Sequence, residues 1–289
     1  MIPLVITHTT FYRYHYPVAL GPHRLMLRPR ESRDLHLTSF GMAIWPTARV
    51  SWAEDVFDNS IATARFTTLS NELNITSTIE LELYSDPWPI FDIDLSACHY
   101  PFRYTDADWS DLGMLTTPCY PDPTGSLRDW AQGFVLSPTT DTLSLLKDLC
   151  AGFLARFAYR PRYEEGTQAP LQTLALGSGT CRDFAVLFAE AARTLGFGAR
   201  IVSGYLVSSP QSWTNWCETG TTHAWVEIFV PGAGWITIDP TNQYIGRVNL
   251  IPVAVGRDIS QVVPVSGEFV GPGNAYAGIS VEVRVTART

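Results

Sequence analysis

The sequence predicts an α+β protein: an N-terminal antiparallel β-sandwich-like domain, then a core in which helices precede strands. Two observations predict it. Up to about residue 100, Val, Ile, Thr, Tyr and Phe recur at alternate positions between Pro, Gly and Asp-Asn breaks, the period of half-buried strands. From residue 140 the apolar period becomes helical and then returns to short strand runs, the order of an α+β domain. A chain of 289 residues is long for one core, so two domains are expected, 1–120 and 140–289, with a linker over 121–139.

The first strands are read in "LVITHTTFYRYH", "HRLMLRPR", "LHLTSFGMAIWP", "VSWAEDVFDNSIATARFTT" and "NELNITSTIELELY". In "VFDNSIATARF" the pair Asp58-Asn59 tolerates positive φ, which predicts a hairpin there. His8, Tyr12, Tyr14 and His15 are read as a solvated strand face with aromatic packing rather than a ligand box. The three prolines of "TTPCYPDPTGSL" continue neither helix nor strand and place the linker.

The first core helix begins with Thr140 or Asp141 as N-cap, and its expected apolar stripe is Leu143, Leu146, Cys150, Phe153, Leu154 and Phe157. The second runs from about Thr180 to Leu195, with Phe184, Leu187, Phe188, Ala191, Ala192 and Leu195 on one face and Gly196 as its stop. Strand runs follow in "ARIVSGYLV", "HAWVEIFV" and "GWITIDP", the last two flanking "PGAG".

A formal net charge of −8 argues against a polyanion partner, since phosphate binding needs clustered Lys and Arg. No nucleic acid and no membrane partner is expected: no apolar run approaches the roughly 20 residues that span a bilayer. The opening "MIPLVITHTTFYRYHYPV" reads as strand rather than leader, so a cytoplasmic location is the expectation. Five cysteines without a CxxC pair are expected to be reduced thiols, and six scattered histidines show no zinc-site spacing. Neither metal nor other cofactor is expected.

Cys181 lies in the first turn of the second helix, after the glycines of "GSGT". The positive end of the helix dipole and unpaired backbone N–H groups there favour thiolate over thiol, and the Cys181 N–H is placed to hold an oxyanion. On position alone, a small buried apolar thiol is the other reading. A nucleophilic thiol needs a base and an orienting carboxylate. Val226 and Ile228 should share a buried face with Ile236 and Ile238, which puts His223, Trp225, Trp235 and Asp239 on the other. With "VPGAG" as the loop, Trp225 falls opposite Asp239 and His223 becomes its diagonal neighbour.

"GSGTCRDFAVLFAEAARTLGFGARIVSGYL", "HAWVEIFVPGAGWITIDPTN" and "VAVGRDISQVVPVSGEF" resemble the transglutaminase-like, papain-related cysteine enzymes of bacteria. "HTTFYRYHYPV", "RLMLRPR" and "DVFDNS" are similar to the β-rich N-terminal domain that one branch adds. The resemblance implies a nucleophile helix packed on an antiparallel sheet, with Cys181 as nucleophile, His223 as base and Asp239 completing a catalytic triad. It also draws Gln168 of "TQAPLQTL" toward the site as a lining or oxyanion residue, with a plain loop role as the alternative. Asp183 of "CRD" matches too, but a carboxylate in a first turn is expected for stability alone. Trp213 and Trp216 sit in a loop long enough to form a site wall, and with Trp225 they complete the expected substrate contacts.

The expected activity is thiol acyl transfer on a peptide or side-chain amide, most simply as a cysteine peptidase or amidase. A crosslinking or deamidating transglutaminase is the alternative, disfavoured because no amine tunnel is identifiable. No Asp and Glu run resembles a calcium loop. A non-catalytic protein-binding module is the reading from another class, which intact Cys, His and Asp oppose. Peptide or protein substrates are the expected partners, and a homodimer is compatible with the β-rich surface.

Overall fold

Alternating apolar positions close the N-terminal region into sheets. In the computed structural model, which describes residues 2–84, 89–162, 166–207 and 217–287, the strands are β1 (Ile2–Leu20), β2 (His23–Leu25), β3 (Leu35–Trp45), β4 (Arg49–Glu54), β5 (Ser60–Arg65) and β6 (Leu69–Leu83). β6 pairs antiparallel with β1 and β3, in a register that turns Leu4, Ile6, Leu37, Ile79 and Leu81 to one buried face. β4 and β5 form the expected hairpin, with Glu54 opposite Ser60 and Asp58 at φ 57°.

The next segment packs on that face. It comprises β7 (His99–Tyr100), α1 (Asp106–Leu112), α2 (Ser126–Gln132), β8 (Thr140–Asp141), α3 (Thr142–Arg156), β9 (Ala158–Tyr159), α4 (Pro170–Leu176), β10 (Ser178–Gly179) and α5 (Cys181–Thr194). Strands β11 (Gly198–Leu206), β12 (Cys217–Val230), β13 (Gly234–Asp239), β14 (Tyr244–Ile245) and β15 (Leu250–Gly256) follow, then β16 (Val265–Ser266), β17 (Phe269–Val270) and β18 (Tyr276–Ala287). The result is α+β, with helices on a curled antiparallel sheet and a β-rich N-terminal region.

α5 is the axis of the core. Every residue from Asp183 to Arg193 is buried, including the ion pair Glu190–Arg193 at 2.5 Å. Glu190 also accepts the Cys119 and Tyr120 N–H groups, and Arg193 donates to the Leu115, Ala199 and Arg257 carbonyls, so neither charge is left uncompensated. Against α5 lies α3, started by Asp141 accepting the Ser144 N–H at 2.7 Å. Its buried face is Leu145, Leu146, Leu149, Cys150 and Phe153, while Leu154 of the expected stripe is 71% exposed. The i, i+3, i+4 pattern fits two adjacent stripes, and the rings of Phe184 and Phe188 against Phe153 select this one.

Three expectations are corrected by the packing. The linker over 121–139 contains α2, whose Leu127 and Ala131 are buried and whose Trp130 meets Phe153 and Phe157 edge to face. The prolines stop one element and leave room for the next. The division at 120 and 140 is not one in the contacts: β18 returns between β1 and β12, β17 pairs β1, and β16 pairs β2. A single apolar cluster joins Leu4, Ile6 and Ile79 to Phe153, Leu187 and Ile228. His8 is not on a solvated face either. It is 2% exposed, with Nδ1 3.0 Å from the Tyr205 hydroxyl and Nε2 3.1 Å from the Thr10 hydroxyl. Burial lowers its pKa to about 4 and keeps it neutral.

Candidate active site

The site is assembled where the start of α5 meets β12 and β13. β12 pairs β13 with Val226 opposite Ile238 and Ile228 opposite Ile236, the register expected from the apolar pattern, and it points Asp239 toward the strand end that carries His223. His223 Nε2 bonds Asp239 Oδ2 at 2.8 Å. Both are buried, at 7% and 1% exposure. Since Nε2 is engaged, Nδ1 is the nitrogen left for Cys181, which is hydrogen-bonded by His223 and by the Ala224 backbone N–H.

Electrostatics follows from this geometry. Burial alone would push the Cys181 thiol up, but the bond to His223 and its charge, the Ala224 N–H and nearby Arg182 outweigh it and hold the thiol below its ordinary range. Burial would lower His223, yet the bonds to Asp239 and Cys181 raise it to about 9. Asp239 is held low against burial by His223 and Asn242. The three groups favour one charge state, a thiolate beside an imidazolium backed by a carboxylate.

Asn242 was not singled out by the sequence reading. It sits in the turn after β13, where the Thr241 and Asn242 N–H groups bond Asp239 Oδ1 at 3.0 and 3.2 Å and Asn242 Nδ2 bonds Oδ2 at 2.7 Å. Asp followed by Pro, Thr and Asn is the turn chemistry that could have flagged it. Asp183 also does more than cap. Wholly buried, it accepts from the Thr180 N–H and hydroxyl at 2.8 and 2.9 Å, from the Gln168 N–H at 2.7 Å and from Arg162 at 3.1 Å. That ties the turn before Cys181 to the segment before α4.

Gln168 therefore lies under the nucleophile's turn, 7% exposed, its side-chain carbonyl accepting from Thr173 at 3.0 Å. Trp225, expected as a substrate contact, is 1% exposed and stands behind the imidazole, its ring 6.1 Å from that of His223 at 26°. Both faces of β12 are covered, so alternation could not tell a cleft from a second core. Trp213 and Trp216 lie outside the described residues. Tyr159, 54% exposed, is paired across from Gly179 and raised in pKa by burial and by the Cys181 charge. Nothing in its local sequence announces it. Among the described residues no cluster of His, Cys, Asp and Glu suits a metal ion.

Comparison with known proteins identifies the family and the fold. Residues 128–240 match the transglutaminase-like superfamily and residues 4–82 the bacterial transglutaminase-like N-terminal region. An uncharacterized protein of Mycobacterium tuberculosis is 26% identical over 96% of this chain and 91% of its own length. A protein-glutamine gamma-glutamyltransferase of Pseudomonas aeruginosa is 30% identical over 32% of this chain and 13% of its own. The fold matches the crystal structure reported as "a Putative Cysteine Protease from Cytophaga hutchinsonii", with TM-score 0.74 and 16% identity over 99% of this chain and 98% of that one. With family models matching residues 4–82 and 128–240 and the fold shared along nearly the whole chain, the chain belongs to the transglutaminase-like superfamily, in the branch that carries the bacterial N-terminal region.

Proposed function

We propose that the protein is a thiol-dependent acyl-transfer enzyme that hydrolyses peptide or side-chain amides through a Cys181, His223, Asp239 triad. The observation that carries this is the bonded series from Cys181 through His223 to Asp239 at the start of α5. The Cys181 thiolate attacks an amide carbonyl, forming a C–S bond, and backbone N–H groups at the helix start hold the oxyanion. The imidazolium of His223 gives its proton to the departing nitrogen as the C–N bond breaks. Water, deprotonated by the now neutral imidazole, attacks the thioester. The carboxylic acid leaves, and the thiolate and imidazolium are restored. Asp239 fixes the ring throughout.

Water is favoured as acceptor because Cys181 is half-buried, with exposed Tyr159 and Arg182 beside it, so solvent reaches the acyl-enzyme. Local similarity to the Pseudomonas aeruginosa gamma-glutamyltransferase keeps amine capture as the second reading. The test is to incubate the protein with peptides bearing Gln and Asn side chains, with and without a primary amine, and weigh the products. Backbone fragments or amide-to-acid conversion, absent with Cys181→Ala, are the expected result. Amine adducts in preference to acid would establish the transferase, and no Cys181-dependent product in either arm would remove the enzymatic reading.

A further inference from the structure

The hairpin between β4 and β5 reaches across the molecule to the back of the candidate site. Its tip is rigid: Asp55 Oδ1 accepts the Phe57 and Asn59 N–H groups at 2.9 and 3.1 Å, and Arg30 donates to the Phe57 carbonyl at 2.7 Å. Asn59 is 0% exposed, and its side chain pairs with β15 as another strand would, donating to the Val255 carbonyl at 2.7 Å and accepting the Val255 N–H at 2.8 Å. Val255 lies opposite Val202, and Val202 opposite Trp225, so one row crosses β15, β11 and β12. Phe57 packs on the cluster of Val202, Trp225, Leu250 and Val255, and Trp225 is the ring stacked against His223.

We infer that this N-terminal hairpin is a positioning element for the acyl-transfer site, with Phe57 and Asn59 holding the Trp225 layer against which the His223 imidazole is set. The β-rich region thereby completes the site from behind rather than serving only as an appended domain. The Trp225 ring stacked 6.1 Å from the imidazole and the Asp239 bond at the ring edge together set both the tilt and the rotation of the imidazole. The opposite ring nitrogen then meets Cys181 in one orientation. The inference rests on the thiolate–imidazole reading of the site.

The experiment measures the pH dependence of Cys181 alkylation by iodoacetamide in the full-length protein, with folding checked by near-UV circular dichroism. Phe57→Ala and Asn59→Asp should slow Cys181 alkylation at neutral pH about tenfold, within the roughly hundredfold that a misplaced reacting group can cost. Phe57→Leu should restore most of the rate, and Val56→Ser, at a position 93% exposed beside it, should leave it unchanged. Should Asn59→Asp not fold, the graded series at half-exposed Phe57 decides. If folded Phe57→Ala keeps the wild-type profile while His223→Ala loses it, the hairpin has no positioning role and the inference alone falls. If His223→Ala also keeps the profile, the thiolate–imidazole pairing falls and takes the inference with it.

Discussion

Cys150 meets Asp239 directly and Cys181 only through His223, and burial and partners drive their thiols in opposite directions. Cys150 lies in the middle of α3 with its Sγ 3.7 Å from the Asp239 carbonyl. Burial and then the Asp239 charge push its pKa up to about 12. Cys181 is at the first turn of α5, where His223, the Ala224 N–H and Arg182 overcome burial. Proximity to a carboxylate therefore does not make a nucleophile. The difference is an interposed imidazole, which turns the carboxylate from a repelling charge into a support for a cation, and a helix end in place of a helix middle.

The largest effect expected from this contrast is on chemistry. Cys181→Ala should remove all alkylation near neutral pH and lower any amide-hydrolysing rate about a thousandfold or more. Cys150→Ala should leave both untouched and cost only about 1 kcal/mol of stability for the small cavity. Alkylation resolved by mass spectrometry and chemical denaturation of the two variants check this. Labelling of Cys150 ahead of Cys181 in the native protein would break the comparison outright.

Next in size is the pH dependence. Thiolate reactivity at Cys181 should rise at lower pH than at Cys119 and Cys150, whose thiols burial pushes up, and His223→Ala should return its midpoint toward about 8.5. The imidazolium loses its proton at about 9, so turnover should fall again through that range. Stability carries the matching signature. A folded His223 pKa raised above the unfolded value of 6.5 stabilises fully below that value, and the contribution is lost as pH rises toward about 9. Melting temperatures across this window, wild type against His223→Ala, read it directly.

The same contrast explains what was legible in the sequence. Cap, stop and apolar spacing wrote α5 and placed Cys181 at its start, and parity across "PGAG" wrote the register that brings Asp239 to His223. These are local rules. Invisible were the return of β18 to lie beside β1, the helix inside the presumed linker, and the second covered face that buries Trp225. Each depends on what a distant segment covers, and alternation along one strand carries no record of that. Asp183 was legible as a stabilising first-turn carboxylate, but not as the one joining Thr180, Gln168 and Arg162, because Gln168 and Arg162 come from outside its own turn.

The smallest predicted effect tests how Asp239 is kept on the Cys181 side of the comparison. Asn242 donates its side-chain amide to the oxygen that also holds His223, and this bond helps keep the carboxylate ionised against burial. Because the folded Asp239 pKa is depressed, its contribution to stability is present above the unfolded carboxylate value and lost as pH falls through the folded one. Asn242→Ala should raise the folded value and cost about 1.5–3 kcal/mol at neutral pH, the usual worth of a hydrogen bond to a charged group. The difference from wild type should shrink as acid protonates Asp239 in both. Asn242→Asp should cost more than Ala at neutral pH, since it sets a second carboxylate against the first, and should recover toward Ala in acid. Denaturation midpoints of the two variants at neutral and acid pH decide it. Equal losses at both would mean that Asn242 only fills space, and that Asp239 is held in its charged form by His223 and the turn's backbone alone.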